Sequence, residues 1–404
     1  MRNKLLIISI SILLISCGSD GNKEFGNIFG NKGRSSSFEH IESFQAQQYS
    51  QRDIDSNSGA TSPPLILNNR QSVFSTQNGK IYSTKNQNKI WEYQLDSGLF
   101  IGAGFAADSN NNIYTIDNNG SIYSLDSTGN LKYRKPLFTP TRFEIFNTPL
   151  ALKSTVVFSS TDGNLAILDK SGKELYKNKY KSGIIDYVSA IDDERILVTL
   201  SNNQFGVTDT LICLGIDGVE KWRFSAKGFR FIKGAISNGT QIAVSGSVQG
   251  GENPLSKVFY LDSDGQVMWD KEISNIPRFL SMSEEGDLYL VSYSSGMGQM
   301  LSGIFAYSSK GDMTWKIYYD YSIPMPIYIS QNELMFLASN RETYALFYLQ
   351  RKDGRLVKSL EIGGVHPINF YPEVDIDGSI VFAGKETLRI IRVDETAINK
   401  ILPY

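Results

Sequence analysis

Residues 258–273 read VFYLDSDGQVMWDKEI, and this stretch decides the fold. An apolar run, Val258–Leu261, leads into the polar turn Asp262–Gly265, and a second run that contains Trp269 follows it. Two extended runs on either side of a turn with Asp and Gly are the pattern of a β-hairpin. The stretch therefore predicts two antiparallel strands joined by a tight turn.

The same pattern recurs along most of the chain. Copies read SIYSLDSTGNLKYRKPL from Ser121, LAILDKSGKELYKNKY from Leu165, LICLGIDGVEKWRFSA from Leu211 and IFAYSSKGDMTWKIYY from Ile304. Their turn glycines are 43 to 47 residues apart: Gly129, Gly172, Gly218, Gly265, Gly311 and Gly354. An aromatic residue stands four positions after the first five of them, and a divergent first copy ends NKIWEYQL. The aromatic residues at this repeat position are Trp91, Tyr133, Tyr176, Trp222, Trp269 and Trp315.

Two further short strands precede each hairpin, which gives four strands in each repeat of about 44 residues. That is the content of one β-propeller blade. Counting from Pro63 gives eight units, and a divergent last copy runs LRIIRVDETAINKILPY. We therefore predict an all-β chain, with residues 63–404 forming one eight-bladed propeller of four-stranded antiparallel blades. The repeat aromatics are expected to pack between neighbouring blades as structural residues.

The first residues, MRNKLLIISISILLISC, have the layout of a secretory signal. Arg2 and Lys4 precede an apolar run that is too short to span a bilayer. Leu14–Cys17 resembles the bacterial lipobox, which implies a signal peptide at 1–16 and a lipidated Cys17. The alternative is an ordinary secretory signal with a chance cysteine. In such lipoproteins an Asp directly after the lipidated Cys favours retention at the inner membrane. This chain has Gly18 at that position, so the resemblance implies a protein of the outer membrane, either on its periplasmic side or at the cell surface.

Residues 17–62 are mostly Gly, Ser, Asn, Gln and charged types without a sustained apolar period. Such a segment buries too little surface to offset its chain entropy, so we predict a disordered, flexible tether. The alternative is that this segment is a docking peptide for a partner, because four phenylalanines occur in it: Phe25, Phe29, Phe38 and Phe44.

Charge and cysteine content exclude some classes of function. The net charge is −2, and removal of Arg2 and Lys4 makes it −4, so nucleic acid is not an expected partner. Cys213 is the other cysteine, which leaves no pair for an internal disulfide after lipidation of Cys17. We expect a monomer.

The repeat resembles the pyrroloquinoline-quinone-type propeller repeat, which ends in a Leu-Asp…Gly-Lys…Trp run. Residues 168–176 are close to it, with Tyr176 in the Trp place, and residues 261–269 are similar and keep the Trp. Both have one residue fewer between Asp and Gly. Quinoprotein dehydrogenases of this kind need a quinone, a Ca²⁺ with acidic and amide ligands, and an Asp base. Many also carry an adjacent Cys pair, which this chain lacks. We therefore expect no catalytic residues, no cofactor and no metal.

Other candidate chemistry has simpler interpretations. His40 lies in the tether and His366 in an inter-blade loop, without the partners of a catalytic triad or a zinc site. The Asp262–Gly265 and Asp375–Gly378 runs end in Asp-Gly, which favours a hairpin turn over a Ca²⁺ loop.

A binding face is predicted where three successive blades have enlarged loops between their second and third strands. These loops are 201–209, 246–256 and 294–303. On the same face, links between blades contain Arg next to Phe, a composition typical of interfaces. The predicted partner-binding residues are Arg142, Phe143, Arg230, Phe231, Arg278 and Phe279. The alternative is that each Arg caps carbonyls of a neighbouring blade or pairs with an acid.

Three functions remain open. The order of lipobox, tether and propeller resembles the propeller lipoprotein of the outer-membrane barrel-assembly machinery, which implies a non-catalytic envelope scaffold or adaptor. The second is a surface lipoprotein that binds host or environmental ligands, and the third is a quinoprotein dehydrogenase.

Overall fold

The computed structural model describes residues 42–44, 48–55, 57–141, 145–181, 183–201, 208–248, 255–273, 275–294, 301–339, 344–362, 373–374, 379–383 and 388–394. Within these ranges the regular elements are all strands, and they form eight four-stranded antiparallel sheets. The predicted all-β, eight-bladed propeller is confirmed.

Each of the first seven blades is built from four consecutive strands, and the first strand of the chain belongs to the eighth. The strands, blade by blade and then in the eighth, are β2 (Leu65–Ile66), β3 (Ser72–Ser75), β4 (Lys80–Lys85), β5 (Asn88–Gln94); β6 (Phe105–Ala107), β7 (Ile113–Ile116), β8 (Ser121–Leu125), β9 (Leu131–Pro136); β10 (Leu150–Ala151), β11 (Thr155–Ser159), β12 (Asn164–Asp169), β13 (Glu174–Lys179); β14 (Ile184–Ala190), β15 (Arg195–Ser201), β16 (Thr210–Gly215), β17 (Glu220–Phe224); β18 (Phe229–Ser237), β19 (Gln241–Val248), β20 (Ser256–Asp262), β21 (Val267–Ile273); β22 (Ile276–Met282), β23 (Leu288–Ser294), β24 (Leu301–Tyr307), β25 (Met313–Tyr319); β26 (Tyr328–Ile329), β27 (Glu333–Ser339), β28 (Tyr344–Gln350), β29 (Leu356–Ile362); β30 (Glu373–Val374), β31 (Ile380–Ala383), β32 (Leu388–Asp394) and β1 (Gln48–Asp55).

The antiparallel order gives the ring two different faces. Hairpins that join the first strand to the second, and the third to the fourth, lie on one side, which we call the turn face. Loops between the second and third strands, and the links from blade to blade, lie on the other side, which we call the connection face.

The hairpin at Asp262–Gly265 shows why the repeat turns take this form. Gly265 has φ of +79°, a conformation that side chains other than glycine rarely adopt. Its N–H donates to Asp262 O at 3.1 Å, and the Asp262 carboxylate Oδ1 accepts the N–H of Asp264 at 3.0 Å and of Gln266 at 2.9 Å. The register of β20 with β21 also shifts, because Tyr260 pairs with Trp269 and Leu261 with Val267, which leaves Met268 as the bulged residue. The hairpin thus combines a left-handed glycine in the turn with a bulge at the start of the fourth strand.

The core is a ring of interfaces between adjacent blades, and burial falls from the third strand to the fourth. In blade 2, β8 is buried at all five positions, whereas β9 alternates between exposed and half-buried residues. One apolar cluster joins blades 1 and 2 through residues such as Val73 and Tyr123, and another joins blades 3 and 4. Sheet faces therefore pack on sheet faces around the axis.

The repeat aromatics lie at these interfaces near the turn face. The Trp269 ring stacks on Tyr260 of its own blade, with ring centroids 4.5 Å apart, and covers Gly311 in the turn of the next blade. Its indole Nε1 donates to Ser309 O of that turn at 3.0 Å. Trp91, Trp222 and Trp315 donate in the same way to Ser127 O, Ser263 O and Arg351 O.

The two tyrosines of the set also pack on the turn glycine of the next blade, Tyr133 on Gly172 and Tyr176 on Gly218. Burial raises the pKa of Tyr133 to about 12. Here Lys135 Nζ donates to Gly172 O at 2.7 Å.

The eighth blade corrects the predicted propeller boundary at residue 63. Its outer strand is β1, which pairs with β32 from Gln48–Asp394 to Asp55–Leu388. Residues 48–55 were assigned to the flexible tether and are instead a strand, because the third strand of the last blade needs a hydrogen-bonding partner. The C-terminal run that was expected to complete this blade, 395–404, lies outside the described residues.

A second part of the predicted tether, Glu42–Phe44, is attached to blade 7 on the turn face. Phe44 is 2% exposed and belongs to the apolar cluster of blades 6 to 8. Its N–H donates to Glu333 Oε2 at 3.2 Å, and Lys358 Nζ donates to its carbonyl oxygen at 3.2 Å. Glu42 O accepts the Asn332 N–H at 3.1 Å.

Candidate functional site

The predicted binding face corresponds to the connection face of blades 4 to 6. Most of each enlarged loop lies outside the described residues, as do Arg142 and Phe143. The strands that carry these loops end on the connection face, at β15–β16, β19–β20 and β23–β24. The residues between them include Gly and Gln in all three loops, Asn in the first two and Met in the third.

Arg230 and Phe231 begin the innermost strand of blade 5. Phe231 is 5% exposed, stacks on Phe224 at 5.9 Å between ring centroids, and donates its N–H to Asp209 Oδ2 at 2.7 Å. Arg230 is half-buried. The prediction that Phe231 contacts a partner is wrong, because this ring fills the interface between blades 4 and 5.

Asp209 belongs to a polar cluster beside this strand that the sequence analysis did not find. It is buried, and the Ser201 hydroxyl donates both to it, at 3.3 Å, and to Asp186 Oδ2. The Phe231 N–H compensates part of the cost of burying this carboxylate. The cluster therefore joins Ser201 and Asp209 of blade 4 to the start of the innermost strand of blade 5.

Arg278 and Phe279 lie in the innermost strand of blade 6, where the Arg is exposed and the Phe is buried. Phe279 is 1% exposed and lies in the apolar cluster of blades 6 to 8, so it also cannot contact a partner as predicted. Arg278 is exposed, and its guanidinium carbon lies 5.2 Å from the centroid of the Tyr293 ring. Such cation–π contacts orient an arginine without burying its charge.

Tyr293 and Ile276, which the sequence analysis did not single out, complete this patch. Tyr293 is fixed because its hydroxyl donates to Ile323 O at 2.6 Å. Ile276 is paired with Tyr293 across the two strands and is 39% exposed. Leu255, 43% exposed, ends the neighbouring loop of blade 5 on the same face. We call Leu255, Ile276, Arg278 and Tyr293 the connection-face patch.

The structure also bears on the candidate metal and cofactor chemistry. Among the described residues no three His, Cys, Asp or Glu side chains form a group able to hold a metal ion. Oδ1 of Asp262 is occupied by two backbone N–H groups of its own turn. Asp375, Asp377, His40 and His366 lie outside the described residues.

Cys213 is in the interior of blade 4. It is buried in β16, and burial raises the pKa of its thiol to about 11. A buried thiol with a raised pKa is a poor nucleophile. Its environment is that of a small apolar core residue.

In the described part of the chain we find no helix that has the length and apolar character needed to cross a membrane.

No protein-family model matches the sequence, and no curated protein matches it. Solved structures are similar in fold at low sequence identity. BamB from Moraxella catarrhalis is 12% identical with a TM-score of 0.59, over 88% of this chain and 99% of BamB. A europium-containing methanol dehydrogenase is 12% identical with a TM-score of 0.65, over 93% of this chain and 92% of the enzyme. The C-terminal WD40 domain of Sif2 is 12% identical with a TM-score of 0.58, over 88% of this chain and 97% of the Sif2 domain. These similarities show the β-propeller fold.

Proposed function

We propose that this chain is a non-catalytic, lipid-anchored protein of the cell envelope that binds a protein partner through the connection face of blades 4 to 6. The observation that carries the proposal is the exposed Arg278 side chain held on Tyr293 beside exposed Ile276. An oriented arginine next to aromatic and aliphatic surface is the composition of interface hot spots. The strands that carry the three enlarged loops end on the same face.

The anchor and the location are proposed from the first 17 residues. The short apolar run and the lipobox-like Leu14–Cys17 support lipidation of Cys17, and two or three acyl chains would hold the protein stably on a membrane. The similarity in fold to BamB agrees with the resemblance to the propeller lipoprotein of the barrel-assembly machinery. We propose the outer membrane as the location.

The anchor is tested by Cys17→Ser in the native envelope. The variant should move from the membrane fraction to the soluble fraction, because the acyl chains are the proposed anchor. A variant that still sediments with membranes after a salt wash would contradict the proposal.

The binding face is tested by cross-linking pull-down from the native envelope. Arg278→Ala should lower recovery of the main cross-linked partner by about tenfold, the effect of losing about 1.4 kcal/mol. The matched control is Arg223→Ala, since Arg223 is exposed on an outer strand and paired with Glu220 at 2.7 Å. The triple replacement of Arg142, Arg230 and Arg278 by Ala should abolish recovery with little change in the thermal midpoint. Full recovery with either variant would contradict this face.

The alternative is a surface lipoprotein that binds host or environmental ligands. Proteinase treatment of intact cells separates the two, because a protein on the periplasmic side is protected and a surface protein is cleaved. The third hypothesis, a quinoprotein dehydrogenase, predicts quinone absorbance in the protein purified from its native envelope.

A further inference from the structure

We propose that the turn face is a lipid-contacting surface, on which the propeller lies against the membrane and directs the connection face away from it. This inference rests on the proposed anchor at Cys17. The turn face would be a second interaction surface of the protein, and a phospholipid bilayer would cover it.

The point where the chain joins the propeller is the first argument. Glu42–Phe44 is held at the hairpin between β26 and β27, which is on the turn face. β1 then starts at Gln48, beside Asp394 at the turn-face end of β32. The root of the tether is therefore fixed on the turn face, next to blades 7 and 8.

The length of the tether is the second argument. Cys17 is 25 residues from Glu42, and a flexible chain of that length has a root-mean-square extent of roughly 28 Å. A seven-residue strand, the common length in blades 5 to 7, spans about 23 Å. A chain with this root-mean-square extent spans little more than the height of the ring. With the turn face on the bilayer it has no such height to cross, whereas with the connection face on the bilayer it would have to run the full height of the ring.

The third argument is the distribution of exposed apolar side chains. Of the eleven large hydrophobic residues exposed in the described part of the chain, eight lie in the first three residues of a fourth strand or directly before one. These positions follow the turn-face hairpins, blade after blade. Examples are Leu131, Leu175, Val267, Met268, Met313 and Val357, each 42 to 52% exposed. We call them the apolar rim.

The charges on this rim alternate in sign. Lys310 and Asp312 flank one turn glycine, and Lys173 and Glu174 follow another. Carboxylates such as that of Asp262 are held by their own turns. Contact with lipid would therefore depend on the aliphatic side chains, and we expect it on zwitterionic lipid and at high salt.

The test measures orientation in phosphatidylcholine vesicles that contain a headgroup acceptor dye. A chain that starts at Cys17 is coupled to a maleimide lipid through that cysteine, while buried Cys213 stays unreacted. A donor dye is attached through p-azidophenylalanine at position 310, on the turn face, or at position 227, in the link between blades 4 and 5 on the connection face. Both positions carry exposed lysines. Energy transfer to the headgroup dye should be at least twofold greater from a donor at position 310 than from a donor at position 227.

The variants then test the rim. Met268→Ser, Met313→Ser and Val357→Ser together should reduce this ratio by about half without changing the thermal midpoint. Ile276→Ser, an exposed aliphatic residue on the connection face, is the matched control and should leave the ratio unchanged. Equal or reversed transfer in the parent protein overturns the proposal, and an unchanged ratio in the triple variant overturns the role of the rim. Because the lipid is attached chemically, neither result bears on lipidation at Cys17, which the fractionation of Cys17→Ser tests separately.

Discussion

Blades 1 to 7 and blade 8 are closed in different ways. Each of the first seven pairs a third and a fourth strand through a short hairpin, so the partners are neighbours in the sequence. Blade 8 pairs β32 with β1, whose residues are more than 300 positions away. The hairpin between the third and fourth strands recurs in blades 1 to 7 and contains a turn, whereas no turn joins β32 to β1 in blade 8. Among the described strands, ring closure thus depends on a pairing between distant parts of the chain.

The difference matters for cooperativity. A hairpin forms locally, but the β1–β32 pair must wait until the blades between them have assembled, because it closes a loop of nearly the whole propeller. Stability of the ring should therefore depend more on β1 than on any single contact between blades 1 to 7.

The largest expected effect comes from removing the closing strand. Replacing residues 48–55 by a Gly/Ser segment of equal length should lower the free energy of unfolding by about 5 kcal/mol or more. The loss has two causes, the lost pairing with β32 and the opened interface between blades 8 and 1. Urea denaturation measures it. A Gly/Ser replacement of 18–41 is the control and should leave the midpoint unchanged; similar midpoints for both replacements would mean that blade 8 does not need β1.

The next effect concerns a contact between sequential blades. Trp269→Ala should cost about 3–5 kcal/mol, because it removes a large ring from between Tyr260 and the turn of blade 6. Met268→Ala is the matched control on the same strand, since Met268 is 52% exposed, and it should change stability by less than about 0.5 kcal/mol. Equal urea midpoints for the two variants would contradict the assigned repeat.

A smaller effect separates the backbone and packing requirements of the turns. Gly98 and Gly265 have the same φ of +79°, but a Cβ at Gly98 would meet nothing within 4 Å, whereas at Gly265 it would lie 2.6 Å from Trp222. Gly98→Ala should cost about 1–2 kcal/mol for the left-handed backbone, and Gly265→Ala about 1–3 kcal/mol more for the clash. Thermal denaturation gives the difference. If both cost the same, the Trp ring does not press on the turn.

The smallest effect is the pH dependence of a turn carboxylate. The Ser171 hydroxyl, with the backbone N–H groups of Lys173 and Ser171, lowers the pKa of Asp169. Because the folded pKa is below the unfolded one, this group stabilises the protein above the unfolded pKa of about 4, and the contribution is lost as the pH falls through the folded pKa. Asp169→Asn should therefore lose less stability between about pH 5 and pH 3 than the parent. A steeper loss in the variant would reverse the sign argued here.

The repeat of Gly and aromatic residues was sufficient to predict the blades, because one turn conformation and one large ring recur at a fixed distance. β1 could not be found in this way. It is an outer strand, so it needs backbone hydrogen bonds on one edge and no continuous apolar side. Its sequence, QYSQRDID, therefore reads as tether.

The candidate site was predicted in part for a related reason. Neighbouring residues in a strand face opposite sides, so the Arg and the Phe of one dipeptide point in opposite directions. With the charged Arg toward solvent, this rule places Phe231 and Phe279 on the opposite side, and it could have been applied to the sequence. Tyr293 and Ile276 meet Arg278 across two strands, and this depends on a register with a bulge between Pro277 and Phe279 that no local pattern reveals.

The β1–β32 pair also has a mechanical consequence. Tension applied through the tether would first load the contacts of Glu42–Phe44 with blade 7. Once these contacts opened, it would pull Gln48 along the strand axis, away from the turn face. The seven paired positions between Gln48 and Asp55 would then be loaded in shear, all at once, rather than opened one after another like a zipper. β1, which is joined to its blade by strand pairing and not by a hairpin, is thus oriented to resist a pulling force along its axis.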